Sequence, residues 1–108
     1  MIEQGDIISL SFDPAKGYEQ KGHRPALVVS NNVYNGKTMF RVVVPISSTD
    51  RDFALYVPLD DRTKIQGKIL ADQMRTVDIF VRKAKKIERI PDDILDNVLE
   101  ILQATVER

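Results

Sequence analysis

The sequence predicts an α+β protein that is mainly β, a small barrel of bent antiparallel strands with one amphipathic helix at the C-terminus. Three observations predict it. Apolar residues alternate with polar ones at a period of two through much of the chain up to Val81. Clusters of Gly, Pro, Asn and Asp cut that pattern into short runs. After Ile90 the apolar spacing lengthens to three and four, the period of a helix face.

Each element follows from its own residues. Ile8, Leu10 and Phe12 alternate with Ser9 and Ser11, which predicts a half-buried first strand ended by Asp13-Pro14. A polar loop then runs to Pro25. The apolar run 26–30 predicts a central strand buried on both faces. Asn31-Asn32 and Asn35-Gly36 are turn signals, the second a strong hairpin dipeptide. Phe40, Val42, Val44 and Ile46 share one face of the next strand, with Val43 on the other. Pro45 near its end predicts an edge position or a bulge, because proline has no N–H to donate. Residues 47–52 read as a polar loop. Phe53, Leu55, Val57 and Leu59 alternate as a further strand, which puts Phe53 and Tyr56 on opposite faces. Residues 60–66 form a charged loop, 67–71 a short strand, and the β-branched and aromatic stretch 76–81 another. The basic run Arg82-Lys83-Ala84-Lys85-Lys86 reads as a solvated face.

Ile94, Leu95, Val98, Leu99, Ile101, Leu102 and Val106 recur at helical spacing, over about four turns at 3.6 residues per turn. Pro91, Asp92 and Asp93 suit the first turn: proline lacks an N–H that would be orphaned there, and carboxylates meet the positive end of the dipole. The apolar stripe of this helix is core or dimer contact. Short strands followed by one terminal helix make an SH3-like layout. A sheet this small leaves apolar area uncovered, which predicts a homodimer.

Composition narrows the function. A chain of 108 residues, 43% hydrophobic and 30% charged, predicts a single folded domain over 1–108 rather than a disordered segment. With no cysteine, disulfides and thiol-based sites are excluded, and one histidine excludes a multi-histidine metal site within one chain. Neither a metal nor another cofactor is expected. Lys and Arg total 16 and so do Asp and Glu, so bulk charge lends no support to nucleic-acid binding, and any basic site must be local. The N-terminus lacks a basic segment followed by an apolar one, which predicts no signal peptide; no apolar run approaches the ~20 residues that span a bilayer. A cytoplasmic protein without membrane contact is expected.

The chemistry concentrates in Gly17-Tyr18-Glu19-Gln20-Lys21-Gly22-His23-Arg24-Pro25. A glycine-bracketed loop delivers a carboxylate (Glu19), the sole imidazole (His23) and a guanidinium (Arg24) to the start of a buried strand, a set that could gather around a phosphate.

Six pieces then line up. Gly5-Asp6-Ile7, Phe12-Asp13-Pro14, Gly17-Tyr18-Glu19-Gln20, Gly22-His23-Arg24-Pro25, Pro45-Ile46-Ser47-Ser48 and Ala71-Asp72-Gln73-Met74-Arg75-Thr76-Val77-Asp78 occur in the order and spacing of the MazF/PemK (Kid) toxins, and the chain resembles that family over nearly its whole length. The resemblance implies an SH3-like barrel that dimerises. It implies a metal-independent endoribonuclease that cuts single-stranded RNA at short sequences, using the ribose 2′-OH and leaving a 2′,3′-cyclic phosphate and a 5′-OH. It implies neutralisation by a cognate antitoxin whose extended, acidic C-terminal segment blocks the RNA site. DNA binding is expected only within the toxin–antitoxin complex.

The resemblance also implies roles. The arginine of the Arg-Pro motif falls on Arg24 and the catalytic hydroxyl on Ser47, where many members carry threonine. A PemK-type branch assigns acid–base work to the aspartate of the Asp-Gln motif, here Asp72, and to an arginine two residues earlier, which here is Leu70; its loop histidine position is Tyr18. The residues present thus match the Arg24/Ser47 arrangement better. Arg24 suits stabilisation of the phosphorane because a guanidinium forks onto two phosphate oxygens and stays charged. Ser47 donates to a non-bridging oxygen. Glu19 and His23 are the proton-transfer groups; family members without a histidine here give His23 a supporting role and leave Glu19 as the alternative base. His23, Gln20, Lys16, Ser48, Asp72, Gln73 and Arg75 are expected to contact RNA, Tyr34, Phe53 and Tyr56 are candidates for base stacking, and the loops 48–53 and 60–66 are the expected specificity elements. Two other readings share the fold: a non-catalytic, CcdB-like toxin that binds a protein target of the gyrase type, and an inactive homologue. The Arg24 and Ser47 pair favours the ribonuclease.

Overall fold

The Val-rich strand β3 (Phe40–Ser47) is the element around which the sheet is built, in a computed structural model that describes residues 1–11 and 23–108. One flank of β3 pairs antiparallel with β2 (His23–Val28). The other flank pairs first with β6 (Arg75–Asp78) and then with β5 (Lys68–Leu70). β1 (Asp6–Ser11) continues the sheet beyond β2, β7 (Lys85–Arg89) edges it beyond β1, and β4 (Tyr56–Pro58) edges it beyond β5. The expected mainly-β, small barrel-like fold with a C-terminal helix is what forms, and all these pairings are antiparallel.

The sheet buries both faces. Ile7, Leu27, Val44, Ile46 and Ile69 pack with Ile94, Leu95, Val98 and Leu102 of helix α2 (Asp92–Val106). Ile8, Leu10, Ala26, Val28, Val43 and Val77 form a second cluster on the opposite face. β1 is therefore buried on both sides, with Ile7 and Ile8 each fully enclosed, rather than half-buried as alternation with serine suggests. α2 starts one residue later than expected: Pro91 is the extended N-cap, at ψ 145°, rather than part of the first turn, which Asp92 and Asp93 occupy as expected.

Several expectations need correction. Asn35-Gly36 is not a two-residue hairpin turn: Asn32–Asn35 form a single helical turn, α1, capped by Asn31 Oδ1, which accepts from Tyr34 N at 2.9 Å. Gly36 has φ −78°, so the left-handed freedom of the dipeptide goes unused. Asn35 instead serves a buried polar network. Its Nδ2 donates to Ser30 O at 2.8 Å, its Oδ1 accepts from Ser30 Oγ at 2.6 Å, and Ser30 Oγ in turn accepts from Val42 N at 3.0 Å.

Pro45 sits neither on an edge strand nor at a recorded bulge. Val42 N and O both meet Ser30 or Val29, on the β2 side, so by alternation the Pro45 nitrogen faces the other flank. There the pairing passes from Arg75 of β6 to Ile69 of β5, and the missing donor falls in the gap. Strand 53–59 shrinks to Tyr56–Pro58, and Phe53, in the preceding turn, meets Tyr56 edge-to-face at 5.1 Å instead of occupying the opposite face. The stretch 76–81 stays extended only to Asp78 before a turn. The basic run hides a strand: Lys85–Arg89 pairs with β1 as an exposed, lysine-bearing edge, which shows no apolar alternation because only one residue of the five is even half-buried.

Candidate functional site

A cavity of about 600 Å³ opens on the sheet face opposite α2, within the size range of ordinary ligand sites. Leu10, Ala26, Val43 and Val77 floor it, and Arg24, Ser47, Ser48, Gln73, Arg75 and Arg82 supply its polar rim. Period-two geometry explains the company. Leu10 pairs with Arg24, Ala26 with Pro45, and Val43 with Arg75, so these side chains project from one face. Arg24, two residues before Ala26, and Ser47, two residues after its partner Pro45, both line the cavity.

The same geometry separates His23 from Arg24. Adjacent strand residues point to opposite faces, and His23, paired with Ser11, does not line the cavity. The imidazole and guanidinium expected to converge on one phosphate thus diverge. Asp72 is also absent from the lining, exposed in the turn after β5, while Leu70 does line it. Tyr34, Phe53 and Tyr56 do not line it either. Lys16, Tyr18, Glu19 and Gln20, together with the Phe12-Asp13-Pro14 motif, lie outside the described residues. No carboxylate is among the described residues lining the cavity. Among the described residues there is no cluster of three or more His, Asp or Glu arranged to hold a metal ion.

Ser47 is fixed from two directions. Its Oγ accepts from Thr49 N at 3.2 Å, which leaves the hydroxyl proton to point elsewhere. Gly67, at φ +127°, approaches so closely that a Cβ there would lie 2.5 Å from the Ser47 carbonyl oxygen. Only glycine permits both that backbone conformation and that contact.

Sequence reasoning passed over Arg82, assigning it to a solvated charge run; it lines the cavity. Arg41 lies at the far end of the same strand face but is a structural cation. It is 3% exposed, burial lowers its pKa, and its guanidinium donates to the carbonyls of Ile2, Thr38 and Phe40 at 2.8–3.0 Å.

The loop 60–66, expected to border the site, is bound elsewhere and does not line the cavity. Arg62 bridges Asp60 and Asp93 at 2.8 and 2.9 Å, and Glu88 of β7 accepts from Lys64 N and Ile65 N. Hydrogen bonds from Arg62 hold both aspartates below the usual carboxylate range, and those two partners raise Arg62 in return. The loop 48–53, by contrast, begins at the cavity with Ser48 and is held by Lys68 Nζ, which donates to Arg51 O at 2.6 Å.

A family described as PemK-like, MazF-like toxin of type II toxin–antitoxin system matches residues 3–106. Endoribonuclease PemK of Escherichia coli is 38% identical over 102 residues, covering 91% of this chain and 77% of that one. Endoribonuclease toxin ChpB of Escherichia coli strain K12 is 40% identical, covering 98% and 95%. The crystal structure of MazE-MazF (Form-III) from Deinococcus radiodurans contains a chain that superposes with a TM-score of 0.87 at 31% identity, covering 97% of this chain and 95% of that one. MazF (Form-I) from the same organism gives 0.84 at 33% identity, covering 99% and 97%. This chain belongs to the PemK-like, MazF-like toxin family of type II toxin–antitoxin systems.

Proposed function

We propose that this chain is a sequence-specific, metal-independent endoribonuclease that cuts single-stranded RNA in the cytoplasm and is neutralised by a cognate antitoxin. The observation that carries the reading is the presence of Arg24 and Ser47 on one cavity, in a family whose relatives are named endoribonucleases. In the reaction the ribose 2′ oxygen attacks the adjacent phosphorus and the P–O5′ bond breaks. The 2′ proton passes to a base and the departing 5′ oxygen takes up a proton, leaving 2′,3′-cyclic phosphate and 5′-OH ends. Arg24 stabilises the charge that builds on the phosphorane, and Ser47 donates its proton to a non-bridging oxygen. Glu19 serves as the base, with His23 in a supporting role away from the cavity. Gln73, Ser48 and Arg75 grip the strand on either side, with Lys16 and Gln20 contributing from the preceding loop and Asp72 from outside the cavity.

The same cationic rim suits an extended acidic segment of an antitoxin, which would exclude RNA by occupying it. A second copy of this chain completes the active form. The exposed Val106 and the half-buried Leu99 and Ile101 of α2 support a homodimer. No helix among the described residues is long and apolar enough to cross a membrane, and DNA is contacted only through the antitoxin.

Digestion of a long single-stranded RNA in EDTA, with mass spectrometry of the product ends, tests the reading. Discrete cuts bearing 2′,3′-cyclic phosphate, absent when Arg24→Ala is run alongside, are expected. No cleavage of varied RNAs by the folded protein would overturn it in favour of a protein-binding toxin.

A further inference from the structure

We propose that the turn between β6 and β7 is a built support for Arg82, which grips a flanking phosphate of the RNA strand, and that Asp78 is the positioning residue of that support. The inference rests on the ribonuclease reading above and adds two residues to it.

The turn is tied at every step by hydrogen bonds. Asp78 Oδ1 accepts from Phe80 N at 2.9 Å and from Val81 N at 3.0 Å. Arg82 N donates to Asp78 O at 3.0 Å, Lys83 N to Phe80 O at 3.1 Å, and Ala84 N to Ile79 O at 2.9 Å. Lys83 closes the turn in the left-handed region, at φ 52°, an uncommon conformation for a residue with a side chain. Arg82 O accepts from Ser11 N at 2.9 Å, which fastens the turn to the end of β1. Both backbone polar groups of Arg82 are therefore engaged, and its side chain leaves a fixed base to line the cavity.

Packing does little for the tip of this turn. Phe80 is 75% and Val81 65% exposed. The Asp78 carboxylate restrains residues 80 and 81 through its bonds from Phe80 N and Val81 N. A backbone rooted this way has little further freedom to lose when the side chain grips a ligand. Arg82 shares the cavity with Arg24 and Arg75, whereas the next basic residues, Lys83, Lys85 and Lys86, do not line it. A guanidinium beyond Arg24 at the reacting phosphate has the chemistry to hold a neighbouring phosphodiester, which makes its contribution to binding rather than to the bond-breaking step.

The test measures binding of a single-stranded oligonucleotide with 2′-O-methyl riboses, which cannot be cut, across a range of salt, alongside cleavage of the matching RNA. Arg82→Ala is expected to weaken binding about tenfold and to reduce the slope of log K against log salt by about 0.7, one phosphate contact on a single strand. In cleavage it raises KM and leaves kcat near the wild-type value, unlike Arg24→Ala. Arg82→Lys keeps the charge and restores the salt slope. Asp78→Ala is expected to reproduce the Arg82→Ala loss, with the double variant no worse than either, and Asp78→Asn recovers most of it because the amide oxygen still accepts. Thermal melts identify any variant that fails to fold, in which case Arg82→Gln replaces it. An unchanged salt slope in folded Arg82→Ala, with the wild type still cutting RNA, overturns this inference alone. Equal loss in Asp78→Asn and Asp78→Ala removes Asp78 from it. A wild type that neither binds nor cuts RNA overturns the ribonuclease reading and this inference together.

Discussion

Two arginine-bearing regions of this molecule use the same side chain for opposite ends. Around the loop 60–66, Arg62 commits its guanidinium to Asp60 and Asp93, and Glu88 takes up two backbone N–H groups. Charge there is cancelled internally and joins the loop to α2 and β7. Around the cavity, Arg24, Arg75 and Arg82 stand beside Ser47 and Ser48 on an apolar floor, and none of the described lining residues is a carboxylate. Three guanidinium groups on one cavity give it a concentration of positive charge that suits an anionic ligand. The contrast teaches that a basic residue becomes a ligand candidate through where its strand or turn places it, here on a shared cavity. A count of charges along the chain, which sums to zero, does not distinguish the two regions.

Substitutions can sharpen that contrast. The largest effect is expected from Arg24→Ala: at least a ~100-fold fall in cleavage rate, by analogy with loss of one donor to a developing oxyanion, with the melting temperature little changed because Arg24 is exposed. Wild-type rates from a folded Arg24→Ala protein would break the assignment of the cavity. Gly67→Ala strikes the boundary between the two regions. The new Cβ meets the Ser47 carbonyl and the positive φ is strained, so a loss of about 1–3 kcal/mol is expected, accompanied by slower cleavage as Ser47 shifts. Chemical denaturation and a cleavage assay on the same preparation check both parts, and wild-type stability would show that β5 relaxes without disturbing Ser47.

Ser47→Thr should change activity by only a few-fold, preserving or raising it. The hydroxyl is kept and the added methyl narrows its rotamers. Complete loss would show that the 47–49 turn cannot hold a branched side chain. The smallest effect on activity is expected from Arg62→Ala, which should leave cleavage unaltered. Its signature is in acid. Because Asp60 and Asp93 are held below the usual carboxylate range, their pairing stabilises the fold above about pH 4. That stabilisation is lost as the pH falls through their lowered folded values. Arg62→Ala removes this part of the acid limb, so its stability should fall less steeply below about pH 4, as equilibrium unfolding at stepped pH would show. An altered cleavage pattern in Arg62→Ala would return the loop 60–66 to the list of specificity elements.

Much of the fold was legible in the residues because each rule needed only near neighbours. The three- and four-residue spacing after Ile90 and the Pro91-Asp92-Asp93 start mark α2 without reference to the rest of the chain. The apolar run after Pro25 marks a central strand, and β2 is flanked by β1 and β3. Where the rules failed, a distant partner had overridden a local preference. Asn35-Gly36 became part of a helical turn because Asn35 found Ser30 and a buried setting. β7 escaped notice because an edge strand can pair with β1 through its backbone while most of its side chains, Ile87 included, stay exposed.

For the site, the residue types and their spacing determined on their own that Arg24 and Ser47 belong to one family pattern and that a phosphate-handling group should stand at the head of a buried strand. Which of the neighbouring candidates share the cavity was decided only by tertiary structure. His23 and Arg24 are consecutive in sequence yet part company, because a strand alternates its side chains. Arg24 and Ser47 are far apart in sequence yet line one cavity, because β2 and β3 lie side by side in the sheet. Arg82, placed by a hydrogen-bonded turn, joins them from the far end of the sheet sequence. Local patterning sets which residues a chain has available and which elements they form. Register, the face on which each side chain emerges and the neighbours each charge meets are properties of two or more strands at once, so they come into being only when the sheet closes.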